Sequence, residues 1–216
     1  MRIEKLHDDI YIVRFEFGYD CAMHFWRYQE FHESVCSRFR FQSFSLLDYM
    51  EWYCKKKESS FTYAYDWAGF NLPGKVIKRA HDKGIPDPNK YDRFMLHVYE
   101  LLADWNGNDQ FYIMGLSKEY EAECVNHELA HALFGTNADY AWCMGKLLCD
   151  LPEPIINSLQ WDFMQMGYHT DLIEDETQAW FSTGVHSRLN RRQYKGFIPK
   201  FRRTFQRFKR QLHIQI

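Results

Sequence analysis

The stretch Cys124-Val125-Asn126-His127-Glu128-Leu129-Ala130-His131-Ala132-Leu133-Phe134 decides how the second half of this chain is read. It contains no proline, and Val125, Leu129, Ala132 and Leu133 recur at helical spacing to form one apolar side. His127 and His131 are four residues apart, so they lie one turn apart on the same face. They share a second stripe with Cys124 and Phe134, which makes the helix buried nearly all round. Two buried imidazoles beside a buried carboxylate need partners. Both rings can reach one ion, and His nitrogens at about 2.0–2.1 Å suit Zn²⁺. Glu128 falls about 100° round the helix from His127. From there it can hold a water beside the ion and take its proton.

A catalytic zinc has three protein ligands and one open position, so a third ligand must come from elsewhere. The run H-E-x-x-H-x-x-G-x-x-H is not met, because Phe134 stands at its glycine and Asn137 at its last ligand. The better source is Leu172-Ile173-Glu174-Asp175-Glu176-Thr177-Gln178-Ala179-Trp180. On a helix capped near Thr170, Glu176 sits in the middle of the apolar stripe Leu172, Ile173, Ala179, Trp180, and Glu174 points away. A carboxylate on a buried stripe requires a cation, either the metal or an arginine of the basic tail. Glu176 is therefore the expected third ligand. Asp175 is placed to accept from the other nitrogen of a ligating His. Tyr140, Tyr168 and His169 are candidate donors to a tetrahedral oxyanion. His24, His32 and Glu33 form a polar cluster whose spacing matches no metal pattern.

An H-E-x-x-H run followed by a Glu on a later helix resembles the gluzincin group of zinc metallopeptidases. The resemblance implies zinc bound by His127, His131 and Glu176, with Glu128 as general base in peptide-bond hydrolysis. Glu176-Thr177-Gln178-Ala179 is also similar to the E-x-(E/Q)-A run of ImmA/IrrE-type regulatory peptidases. The strings His127–Phe134 and Asp175–Gly184 resemble small bacterial and phage proteins of the same plan. The likeness spans Ser117 to Gly184. It implies a zincin-like α+β fold, in which a small sheet packs against a mostly helical layer bearing the motif helix. In zincins a strand before that helix presents its edge to the substrate backbone, and Phe111–Leu116 occupies the matching place.

Outward from the motif, residues 9–17 alternate as a strand would, and residues 45–57 look helical. Residues 68–90 are rich in Gly, Pro and Asn and read as irregular, with one short helix at 75–83. Asp87-Pro88 opens a helix with apolar positions Tyr91, Phe94, Met95, Val98, Leu101, Leu102 and Trp105, and Asn106-Gly107 turns the chain. Ser117 is the expected N-cap of the motif helix, which should end before Gly135. Asn137 should cap a helix to about Cys149, another should run to about Met166, the next should stop at Gly184, and a last helix follows Pro199. We expect one domain over residues 1–216: an N-terminal part of unassigned role at 1–110, a metal-site core at 111–184 and a basic C-terminal helix at 185–216.

The 216 residues are 46% hydrophobic and 26% charged, which excludes disordered and fibrous classes. Aromatics reach 18%, enough for a core built on large rings. No uncharged stretch attains the roughly 18 residues of a membrane span, and Met1-Arg2-Ile3-Glu4-Lys5 opens no secretory signal. The six cysteines include no C-x-x-C pair, so reduced thiols in a cytoplasm are expected.

The net charge of −2 conceals a division. The last acidic residue is Glu176, and after it come ten cations: Arg188, Arg191, Arg192, Lys195, Lys200, Arg202, Arg203, Arg207, Lys209 and Arg210. Residues 1–176 hold 17 basic and 29 acidic residues, a net of −12. On the tail helix, Phe197, Phe201, Phe205, Phe208 and Leu212 form one face, expected to dock on the body while the basic face meets its negative charge. The function expected is zinc-dependent hydrolysis of a protein or peptide substrate. The alternative is a non-catalytic zinc-binding regulator whose basic helix binds nucleic acid or an acidic partner.

Overall fold

The computed structural model describes residues 1–184, 186–189 and 192–216, without the side chains of Glu123 and Arg188. Arg191, one of the tail cations, lies outside the described residues, as does the Arg188 side chain. In chain order the elements are β1 (Arg2–His7), β2 (Ile10–Phe15), α1 (Gly18–Glu33), α2 (Leu46–Lys57), α3 (Tyr63–Asp66), β3 (Gly69–Pro73), α4 (Gly74–Asp82) and α5 (Lys90–Asn106). They continue with β4 (Tyr112–Ser117), α6 (Glu121–Thr136), α7 (Ala138–Cys149), α8 (Glu153–Met166), α9 (Ile173–Thr183) and α10 (Ile198–Gln211). The class is α+β, as expected. The chain forms two compact units, Met1–Cys124 and Val125–Ile216. The division falls inside α6.

In the first unit the sheet has the order β1-β2-β4-β3. β1 runs antiparallel to β2, β2 parallel to β4, and β3 antiparallel to β4. All six residues of β4 are buried, as an inner strand requires. This corrects the expectation that Phe111–Leu116 offers an edge to a substrate: β2 and β3 already take both sides of β4. Two strands escaped the sequence reading. β1 is an edge strand whose Glu4 pairs with Arg2 and with Arg14 of β2. β3 lies in the segment expected to be irregular.

Helix α1, also unforeseen, packs on β2, β3 and β4. Its close approach depends on Gly115, where an added Cβ would stand 2.5 Å from the Phe25 ring. Behind α1 the core is aromatic. Trp26, Phe39, Phe44, Tyr49, Tyr53 and Tyr63 are all buried, with ring pairs such as Phe39–Tyr49 at 5.1 Å. Ser45 caps α2 by accepting from the Asp48 amide. Asn89 and Asp92 close a capping box at the start of α5, and Gly107 ends it at φ 68°.

In the second unit, α7 is capped by Asn137, whose side chain accepts from the Tyr140 amide, and α8 ends at Gly167, φ 93°. Two expected caps are displaced. Ser117 closes β4 instead of starting the motif helix, and α6 runs through Gly135. Thr170 begins a single 3₁₀ turn, Thr170–Leu172, which His169 caps. Helix α10 lies on α7 and α9. Phe201 meets Phe181 at 5.4 Å and Phe208 meets Tyr140 at 5.3 Å between ring centroids, so the phenylalanine face is core.

Candidate metal centre

Two helices build the site. α6 presents His127 and His131 from consecutive turns, their rings edge to face with centroids 4.7 Å apart. α9 brings Glu176 in its first turn, where three consecutive carboxylates, Glu174, Asp175 and Glu176, sit at the positive end of the helix. Glu174 is exposed and Glu176 buried, as the stripe predicts. One ligand atom from each of His127, His131 and Glu176 lies within 4.8 Å of the others. The two Nε2 atoms are 3.2 Å apart. Glu176 Oε1 is 3.8 Å from His131 Nε2, and Oε2 is 3.9 Å from His127 Nε2.

These separations test the fit of a metal. Donors at about 2.0–2.2 Å in a tetrahedron stand roughly 3.3–3.5 Å from one another. The two Nε2 atoms at 3.2 Å match that spacing; Glu176 offers a different oxygen to each ring, at 3.8 and 3.9 Å, so its carboxylate would have to move inward for one oxygen to join a zinc-sized ion. The donor chemistry, two imidazoles and one carboxylate, is that of a catalytic zinc. Glu176 Oε2 and His127 Nδ1 are buried with no hydrogen-bond partner. Among the described residues no arginine pairs with Glu176; its neighbours include the two histidines and the Trp180 indole.

Asp175 Oδ1 stands 2.9 Å from His131 Nδ1, on the opposite side of the ring from the ligand nitrogen. Asp175 is in turn held by Gln178, whose amide donates to Asp175 Oδ1 at 2.9 Å and to the Ala130 carbonyl at 3.2 Å. Gln178 Oε1 accepts from Tyr140 at 2.8 Å. Tyr140 is fully buried, and its hydroxyl is committed to this chain instead of facing the ligand triangle. His169 Nδ1 accepts from the Asp171 amide as the cap of the 3₁₀ turn. Tyr168 packs edge to face on Phe163. Thus the structure gathers His127, His131, Glu176 and Asp175, while Tyr140 reaches them only through Gln178. Sequence reasoning gave no role to Gln178, nor to Trp180, whose ring lies 4.3 Å from that of His127. Gln178 appeared only as one letter of the E-x-(E/Q)-A run.

The electrostatics of the site are strongly coupled. Burial disfavours the charged form of His131, but Asp175, Glu176 and Glu128 outweigh it and raise its pKa to about 10. Burial and the neighbouring His131 push His127 well below its usual value. Burial raises Glu176 to about 7; Asp175 and Glu128 add to this against the pull of His131. One imidazolium is thus held among three carboxylates, a position of negative potential suited to a cation. Glu128 is buried in α6 and belongs to this same charged set. Comparison of the chain with protein-family models, with curated proteins and with solved structures gives no match.

Proposed function

We propose that the protein is a zinc-dependent peptidase acting on a protein or peptide, with a zincin-like arrangement around α6 and α9. The observation that carries this reading is the convergence of one ligand atom each from His127, His131 and Glu176 within 4.8 Å. Among the described residues no cysteine joins the cluster, and three donors leave a fourth coordination position on a tetrahedral ion. Zinc, when bound, polarises a carbonyl and lowers the pKa of a water. Glu128, one residue after His127 on the same helix, would accept the proton of a water held there and return it to the leaving amine. Asp175 fixes the His131 ring with Nε2 inward. The six cysteines are free thiols, and no described helix is long and apolar enough to cross a membrane. Both fit a cytoplasmic place of action.

The test is metal content with activity on an unfolded protein substrate. Wild type should hold about one zinc per chain, and Glu176→Ala should lose most of it. Glu128→Gln should keep zinc and lose turnover. Wild type that binds no zinc after reconstitution, or a zinc-replete Glu128→Gln protein with full activity, overturns the reading.

A further inference from the structure

The basic tail resolves into two faces with separate fates. Ile198, Phe201, Phe205 and Phe208 of α10 are buried. Lys200, Arg203, Arg207 and Arg210 follow one another at steps of three and four on the opposite side, and all four are exposed. Along the axis this stripe spans about 15 Å at 1.5 Å per residue. Arg202 flanks it, also exposed. No Asp or Glu side chain occurs after Glu176. Among the described residues, the ion pairs within Val125–Ile216 all involve histidines, and none neutralises an α10 cation. The expectation that the basic face meets acidic groups of the body therefore finds no ion pair within this unit.

The stripe continues onto α7. Arg207 Nη2 reaches Cys143 Sγ at 3.3 Å. The preceding residue, Trp142, is 61% exposed, and the Lys146 ammonium lies 3.7 Å from its ring centroid. A row of cations beside an exposed indole matches a flexible polyanion that carries flat rings. The phosphates meet guanidinium groups, which bind them in a two-pronged geometry, and an unpaired base stacks on the tryptophan. A lipid surface fits less well, because the apolar face that would enter a bilayer is already consumed against α7 and α9.

We propose that Lys200, Arg203, Arg207 and Arg210 of α10, with Trp142 of α7, form a binding surface for single-stranded nucleic acid. The surface is independent of the metal triad and stands whether or not the protein is a peptidase. The experiment is fluorescence anisotropy of a labelled mixed-sequence single-stranded DNA of about 20 nucleotides, titrated with the full chain. Binding should weaken steeply with salt, and replacing all four stripe residues by Gln should lower affinity at least about tenfold and flatten the salt dependence. Trp142→Ala should weaken binding several-fold while leaving the salt dependence in place, and Trp142 fluorescence should be quenched by the wild-type complex. The charge-preserving triple variant (Arg203→Lys, Arg207→Lys, Arg210→Lys) should retain most affinity. Equal binding by wild type and the Gln variant overturns the proposal. So does binding to phosphatidylserine vesicles without binding to DNA, or a preference for duplex that Trp142→Ala leaves unchanged. Should the fourfold variant fold poorly, Arg207→Gln alone gives the same reading at about two- to fivefold.

Discussion

Asp175 Oδ1 lies 2.9 Å from His131 Nδ1, and this contact decides which nitrogen of His131 is left to face a metal. With Nδ1–H directed to the carboxylate, Nε2 is the nitrogen that can give up its proton to a metal, and it faces His127 Nε2 and Glu176 Oε1. Asp175→Ala should therefore lower zinc affinity by about 10–100-fold without removing a ligand. Competition with a chromophoric chelator measures it. Unchanged affinity would mean that packing alone orients the ring.

The chain Tyr140–Gln178–Asp175 makes a separate claim, that Tyr140 supports the site and does not touch the substrate. Tyr140→Phe removes the donor to a buried Gln178 oxygen, and leaving a buried acceptor unpaired costs about 1–3 kcal/mol. Thermal stability should fall while zinc stays near one per chain. Turnover of the folded, metal-loaded variant should remain within a few-fold of wild type. A loss of two or more orders of magnitude in kcat at unchanged stability would instead give Tyr140 a role at the oxyanion.

The sequence disclosed the site more fully than the fold around it, for physical reasons that differ residue by residue. His127 and His131 are legible because a four-residue step on a helix is a distance constraint. Glu176 is legible because Ile173 and Ala179, buried in the structure, bracket it on one stripe. Gln178 was not legible, since its value lies in meeting Tyr140 from α7 and the Ala130 carbonyl from α6. Helix α1 hides its period because Arg27 and Glu30 are buried among its aromatics, where a polarity pattern expects apolar residues. β3 hides in a segment of Gly, Asn and Pro, yet Asn71 is buried there because Tyr112 donates to it across the sheet at 2.9 Å.

Glu30 makes stability depend on pH. It is buried in the aromatic core, and desolvation raises its pKa above the ordinary 4.5, against the pull of hydroxyls from Tyr49, Ser34 and Tyr63 and of Lys56. A carboxyl with a raised native pKa holds a proton that the unfolded chain has released. Its contribution is fully present below about pH 4.5 and is lost as pH rises through the raised value. The slope in that window is at most about 1.4 kcal/mol per pH unit. Glu30→Gln keeps the shape and has no proton to lose. Its Tm relative to wild type should be flat below about pH 4.5 and climb above it. A difference that does not change with pH would show that the carboxylate is stabilised in place by its neighbours.

Asp92 joins two devices that a single substitution should break together. One oxygen accepts from the Asn89 amide at 2.9 Å in the capping box of α5. The other lies 3.1 Å from Arg27 Nε, with both side chains only 3% exposed. Arg27 Nη1 donates to the carbonyls of Phe44 and Pro86 at 3.3 and 3.2 Å, so Arg27 fastens three segments to α1. Removing the carboxylate strands a buried cation, which costs about 3–5 kcal/mol, and losing the cap adds about 1 kcal/mol. Asp92→Ala should accordingly be among the most damaging single changes in the first unit. The double variant Arg27→Met, Asp92→Leu removes the stranded charge along with its partner and should recover much of that loss. Chemical denaturation of the wild type, the single and the double variant measures the recovery. A double variant no more stable than Asp92→Ala would show that Arg27 acts mainly through the Phe44 and Pro86 carbonyls.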